Sequence, residues 1–223
     1  MSMNKRIFLL LLVLLQPALF TIADEAEETI MNTTSPVIID RLMGPGYSKP
    51  RPEDAVVDVI MLHFSSAVVL HPERPYDAME IIDLFKHYTV SSHYLIDRDG
   101  TIYRLVPESE QAFHAGKGEM PWGGKRKNVL NATSIGIELL AIGSKDDMRI
   151  FLTPEQYDQV PEEFIGYTDA QYEALNALLA DIESRWPAIR HDRRHILGHE
   201  EYAPGRRTDP GELFDWRRIG LER

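Results

Sequence analysis

Val56 to Leu62 is an almost unbroken apolar run, interrupted only by Asp58 and closed by His63. A run of that composition suits a strand buried on both faces, which needs a sheet covered on two sides. A second run, SIGIELLAI at 134–142, has the same character. Helical patterns lie between and after them. Asp77 to His87 places Met79, Ile82 and Phe85 on one stripe with Ile81 and Leu84 beside it. HYLIDRDG and TIYRLV read as two short strands joined at Asp99-Gly100, a strong turn signal. Thr168 to Trp186 is the clearest helix. Thr168 and Gln171 form a capping box, Tyr172, Leu175, Leu178, Leu179 and Ile182 make its stripe, and Pro187 stops it. HILGH is a last short strand. The order predicts an α/β (α+β) fold, a central mixed β-sheet flanked by helices. A length of 223 residues fits a single domain.

Within that framework His63 is joined by GHEEYAPGRRTDPG, which carries His199 and Asp209 ten residues apart. Two imidazoles and one carboxylate suit a catalytic zinc site, where a fourth position stays open to water. Asp209 precedes Pro-Gly, a turn in which a carboxylate is aimed with little freedom. Glu138 interrupts an otherwise apolar central strand. It shares a face with Gly136, while Ile135, Ile137 and Leu139 share the other. An acidic residue there must be ion-paired, metal-bound or catalytic. As a catalyst it would take a proton from water. The sequence therefore points to hydrolysis.

The first residues follow the pattern of a secretory signal. Lys5 and Arg6 precede the apolar run Ile7 to Leu15, and Thr21 and Ala23 are small residues at a cleavage-like position. The expectation is a signal peptide over 1–23 and an exported protein, periplasmic or secreted. No stable membrane span would remain after cleavage, because a spanning helix needs about 20 apolar residues. Such cleavage leaves 22 basic against 35 acidic residues, a net charge of −13. That balance argues against nucleic acid as a partner. With no cysteine, the domain must be held by its core and its metal, not by disulfides. Residues 24–54 read as an N-terminal tether or arm, with VIID packing as a short strand, and 55–223 as the catalytic domain. The acidic segment 143–167 breaks the strand–helix order and reads as an inserted loop, either solvated or a lid over one face.

The ordered motifs LHFSS, VSSHYLIDRDGTIYRLV, AFHAG, NATSIGIEL, YTDAQYEAL and ILGHEEYAPGRRTDPG resemble the N-acetylmuramoyl-L-alanine amidases of the type 2 amidase and peptidoglycan-recognition-protein superfamily, in its AmpD/AmiD-like bacterial branch. The resemblance covers about residues 55–216. It implies a zinc cleft on one face of the sheet and an amidase that cuts between the lactyl group of muramic acid and L-alanine. The substrate would be peptidoglycan or a muropeptide, and the protein a monomer. By position, His63, His199 and Asp209 fall on the metal ligands and Glu138 on the catalytic base. Where the family usually has Lys two residues before the ligand Asp, this chain has Arg207. Arginine can hold an oxyanion but does not share a proton at neutral pH. His114 falls on a position lining the substrate cleft.

Three further positions are weaker candidates for substrate contact. His93 alternates with apolar neighbours and suits packing as well as a site role. Asn131 precedes the Glu138 strand and could brace it. Trp122 lies in GKGEMPWGGKRKN, where it could rest on sugar or peptide while Lys125, Arg126 and Lys127 meet stem-peptide carboxylates. Two competing readings are a non-catalytic peptidoglycan-binding module and a zinc peptidase cutting within the stem peptide.

Overall fold

Alternation along the two apolar runs sorts the central sheet into two faces with different jobs. The computed structural model describes residues 35–122 and 127–222, all within one compact unit. The expected signal, the start of the arm, Lys125 and Arg126 lie outside the described residues. The strands in chain order are β1 (Ile38–Asp40), β2 (Ser48–Pro50), β3 (Val59–Ser65), β4 (Tyr94–Ile96), β5 (Ile102–Arg104), β6 (Glu110–Ala112), β7 (Ser134–Leu140) and β8 (Ile196–Gly198). Six of them form one mixed sheet in the order β1-β5-β4-β7-β3-β8, and β2 pairs with β6 separately. β4, β7, β3 and β8 run parallel, while β5 is antiparallel to β4 and carries β1 alongside it in parallel.

The helices are α1 (Ala78–His87), α2 (Leu130–Thr133), α3 (Lys145–Met148), α4 (Pro154–Tyr157), α5 (Asp169–Arg185) and α6 (His199–Tyr202). α5 starts as its sequence dictates, with Thr168 and Gln171 bonding each other's backbone. Its stripe of Tyr172, Leu175, Leu178, Leu179 and Ile182 packs on Ile60, Leu62, Ile135, Ile137 and Leu139, which all project from one sheet face. Those residues form the main core. On the opposite face, α1 covers Leu95 and Leu140 with Ala78, Ile81 and Ile82. Asp77 caps α1 by accepting from the Met79 and Glu80 amides. Met79, expected on the stripe, is 42% exposed. Ala78, Ile81 and Ile82 sit at i, i+3 and i+4, and that spacing sets the buried side instead.

The expected arm and segment 143–167 both carry structure, the arm including the short strand expected at VIID. Residues 38–40 of the expected arm add an edge strand, held by two hydrogen bonds that the Arg104 guanidinium donates to the Asp40 carboxylate at 2.7 and 2.8 Å. Residues 48–50 pair with β6. Segment 143–167 contains α3, α4 and the short 3-10 turn Glu162–Phe164, and it owns a small core. Met148, Leu152 and Val160 pack on Val68 and Ile142 there. Among the described residues no helix is long and apolar enough to cross a membrane.

Candidate metal centre and active site

The face of β3 and β7 away from α5 bears polar groups at alternate positions: His63 and Ser65 on β3, and Ser134, Gly136 and Glu138 on β7. The parallel register sets His63 beside Glu138. β8 ends at Gly198, and His199 opens α6 immediately after it. The group thus lies toward the carboxyl ends of parallel strands, where open α/β sheets place their ligands. Asp209 reaches in from the loop beyond α6. His63 Nδ1 lies 2.7 Å from Asp209 Oδ2, and His199 Nδ1 lies 3.0 Å from the same oxygen. The two imidazoles are 3% exposed and the Asp209 side chain 13%.

The surrounding hydrogen bonds suit one assignment of the ring protons. The His199 Nε2–H donates to the Ala115 carbonyl at 2.9 Å, so Nδ1 is left with a lone pair. On the other side the chain of bonds is longer. The Ser134 hydroxyl donates to the Leu130 carbonyl, so its oxygen accepts the His114 Nε2–H at 3.1 Å. His114 Nδ1 then accepts the His63 Nε2–H at 2.9 Å. His63 Nδ1 is therefore proton-free as well. Burial lowers the His63 pKa to about 4, with the nearby charge of Asp209 acting against that shift, which keeps the ring neutral. Two imidazole Nδ1 atoms and a carboxylate oxygen, all within 4.8 Å of one another, converge there, and in this assignment both nitrogens turn lone pairs inward. A divalent cation fits that donor set, and the bonds on the outer nitrogens are those that metal-ligating histidines characteristically make.

Glu138 is half-buried in the wall of the same cleft, which has a volume of about 170 Å³. Burial, then the charge of Asp209, push its carboxyl up to about 8, while the Ser65 hydroxyl donating to Oε2 at 2.7 Å and Arg207 pull the other way. Arg207 lines the cleft too, and its buried Nε has no hydrogen-bond partner among the described residues. A guanidinium left with an unused donor at a cleft wall is equipped to meet an anion. Phe85, Val90, Phe113 and Phe151 supply an apolar rim.

The remaining expected residues divide. His114 is buried against His63 and lies over Gly136, where a Cβ would come within 2.7 Å of the ring. The room that Gly136 leaves is taken by an imidazole. Asn131 Oδ1 accepts from the His114 and Ala115 amides at 3.1 and 2.8 Å, fixing the carbonyl that orients His199. His93 is fully buried; its Nδ1 accepts from the Gly136 amide at 3.0 Å and its Nε2–H donates to the Glu110 carbonyl at 3.0 Å. Trp122 is 38% exposed and is not brought to the cleft. Ser65 and Ser134 were not singled out by the sequence, although Ser65 lies two positions from His63 and Ser134 four from Glu138, each on the same strand face. The Ala115 carbonyl carries no sequence signal at all.

Comparison with known proteins agrees with this geometry. The family model Amidase_2, described as N-acetylmuramoyl-L-alanine amidase, matches residues 53–212. The 1,6-anhydro-N-acetylmuramyl-L-alanine amidase AmpD of Enterobacter cloacae is 39% identical over 143 residues, 64% of this chain and 62% of that protein. The chain thus spans less than two thirds of the length of that curated relative. A crystal structure of a selenomethionine AmpD derivative superposes with a TM-score of 0.61 at 30% identity, covering 84% of this chain and 93% of the other. The Escherichia coli amidase AmiD, in complex with the substrate anhydro-N-acetylmuramic acid-L-Ala-D-gamma-Glu-L-Lys, superposes at 0.54 and 29% identity, over 76% and 59% of the two chains.

These relatives correct the expectation of an exported, periplasmic or secreted protein, because the AmpD amidases that the chain matches are cytoplasmic enzymes. The expectation rested on a basic pair, an apolar run and small residues at 1–23, a compositional pattern that lies outside the described residues. The match over 53–212 joins the His63, Glu138, His199 and Asp209 constellation in one recognised unit, and the chain belongs to the Amidase_2 family of N-acetylmuramoyl-L-alanine amidases.

Proposed function

We propose that this chain is a zinc-dependent N-acetylmuramoyl-L-alanine amidase that hydrolyses the amide between the lactyl group of muramic acid and L-alanine in muropeptides or peptidoglycan. The observation that carries the reading is the convergence of His63 Nδ1, His199 Nδ1 and Asp209 Oδ2 in the cleft that Glu138 lines. These three residues would hold zinc, in the donor set of a catalytic site that leaves one position open. When bound, zinc polarises a carbonyl and lowers the pKa of a water.

The chain's own groups do the rest. Glu138, with a raised proton affinity and Ser65 fixing one of its oxygens, takes a proton from the attacking water. It returns that proton to the departing amine of L-alanine as the C–N bond breaks. Arg207 holds the oxyanion that develops on the carbonyl, and its permanent charge gives it no part in proton transfer. His114 and Asn131 hold the two imidazoles in their metal-binding tautomers from behind. All of these groups come from one chain, so a monomer carries a complete site.

The relatives' names and bound substrate support anhydromuramyl peptides as the first substrates to try. The test is mass spectrometry of products from such peptides and from peptidoglycan, with parallel samples containing a chelator or the Glu138→Gln variant. Stem peptides beginning with L-alanine, absent from both controls, are expected. Cuts inside the stem peptide would move the assignment to a peptidase. Retention on wall material without any product would make the chain a binding module.

A further inference from the structure

Asp209 is a ligand on a loop, and a loop must be held if its carboxylate is to wait in place. Two bonds bracket it. The Thr208 hydroxyl donates to the Asp147 carbonyl at 2.9 Å, and the Glu212 amide donates to Asp147 Oδ2 at 3.1 Å. Both reach the same residue, which lies in α3 of segment 143–167. A third bond runs from the Tyr167 hydroxyl to the Pro210 carbonyl at 2.7 Å. Asp147 is itself fixed, because Oδ2 also accepts the Ser144 amide at 3.0 Å and the Ser144 hydroxyl at 2.9 Å.

Two glycines make room for this contact. A Cβ on Gly211 would sit 2.4 Å from Asp147 Oδ2, and one on Gly143 would sit 2.7 Å from the Asp147 Cβ. Gly211 also has φ +80, a conformation that side chains disfavour. The neighbouring Met148 is 2% exposed in the small core of the insertion, so the anchor does not rest on solvated chain.

We infer that Asp147 is a positioning residue for the metal ligand Asp209, and that segment 143–167 serves the site as a buttress for the loop 208–212. This rests on the metal reading above. Asp147 touches neither the donor cluster nor the cleft; it acts through the backbone on either side of Asp209. Holding a ligand in place beforehand removes ordering cost from metal binding.

The test is zinc affinity of the full chain, measured by competition with a chromophoric chelator, beside thermal unfolding in excess chelator. Asp147→Ala and Thr208→Val are each expected to weaken zinc about tenfold, the lower end of what outer contacts to metal ligands are worth. Without zinc the unfolding midpoint of Thr208→Val should stay near that of the parent, while that of Asp147→Ala should fall modestly because its Ser144 capping bonds go too. Asp147→Asn, which keeps one acceptor oxygen, should recover part of the loss. Tyr157→Phe removes a bond from the insertion to the Gly143 carbonyl and leaves the ligand loop alone, so it should keep the parent affinity. Parent affinity in both Asp147→Ala and Thr208→Val would overturn the inference. If Asp147→Ala does not fold, Thr208→Val decides alone. A parent chain that binds no zinc would sink the metal reading and this inference with it.

Discussion

A buried imidazole can bind a metal only through the nitrogen that lacks a proton, so the partner of the other nitrogen decides whether it is a ligand. His199 relies on a backbone carbonyl, while His63 relies on His114, Ser134 and finally the Leu130 carbonyl. His114→Phe should therefore release the His63 tautomer and weaken zinc about tenfold or more. Ser134→Ala, one bond further out, should cost less. Equal affinities for the parent and His114→Phe would show that the relay does not set the tautomer. His63, Glu138, His199 and Asp209 stood out in the sequence because each is a polar group set where its neighbours are apolar or a turn is tight. The parts that hold them were legible only in part. Ser65 and Ser134 follow from strand alternation once His63 and Glu138 are known. The Ala115 carbonyl and Asp147 do not, because a contact between residues 60 or more positions apart leaves no local pattern.

At the scale of elements, local rules sufficed where one stretch of chain carries both its start signal and its buried stripe. α5 is the clearest case, and its cap has a second duty, because the Thr168 hydroxyl donates to the Arg98 carbonyl at 2.7 Å. Thr168→Ala should destabilise by about 1–2 kcal/mol, read from urea unfolding. A change below about 0.3 kcal/mol would mean that the cap is redundant with the helix's packing. β2 and β6 were harder to read: three residues show no period and the stretches that hold them look irregular, whereas Asp99-Gly100 marks the equally short β4 and β5. They exist through their partners. The far end of α5 meets another such long-range joint. Glu108 accepts from Arg185 at 2.8 Å, from Trp186 Nε1 at 2.6 Å and from the Tyr94 hydroxyl at 2.7 Å. Burial pushes its carboxyl up, but these donors outweigh that and leave it below its ordinary 4.5. Its contribution is therefore present above pH 4.5 and is lost as pH falls through the lowered value. Glu108→Gln should lose stability at pH 7 and approach the parent as pH falls from 4.5 through the lowered value, below which both side chains are neutral. A constant difference across that range would refute the linkage.

For the molecule as a whole, the cleft joins pieces that nothing else in the chain requires to meet. β3 supplies His63, β7 supplies Glu138, and the turns after β8 supply His199 and Asp209. With no cysteine, no covalent bridge holds these pieces together. In the donor cluster, His63 Nδ1 and His199 Nδ1 lie 2.7 and 3.0 Å from one carboxylate oxygen, and with the tautomers assigned above that contact is repulsive unless a cation lies among them. Zinc should then act on the folding of the entire unit, since the unfolded chain does not bring the three donors together. At a free concentration of about 100 times Kd, one site adds about 2.7 kcal/mol. In a chain of this size each kcal/mol moves the midpoint by about 2–4 °C, so zinc should raise it by about 5–10 °C over the chelated protein. Asp209→Asn keeps the shape but replaces the charged donor with a neutral amide. Its chelated form should be at least as stable as the parent's, because the repulsion is relieved, and its gain from zinc should shrink to a small fraction. Differential scanning calorimetry of both proteins with zinc and with chelator separates the two effects. A chelated variant markedly less stable than the parent would mean that Asp209 holds the fold together by accepting protons from the imidazoles, and that the tautomers assigned to His63 and His199 are reversed.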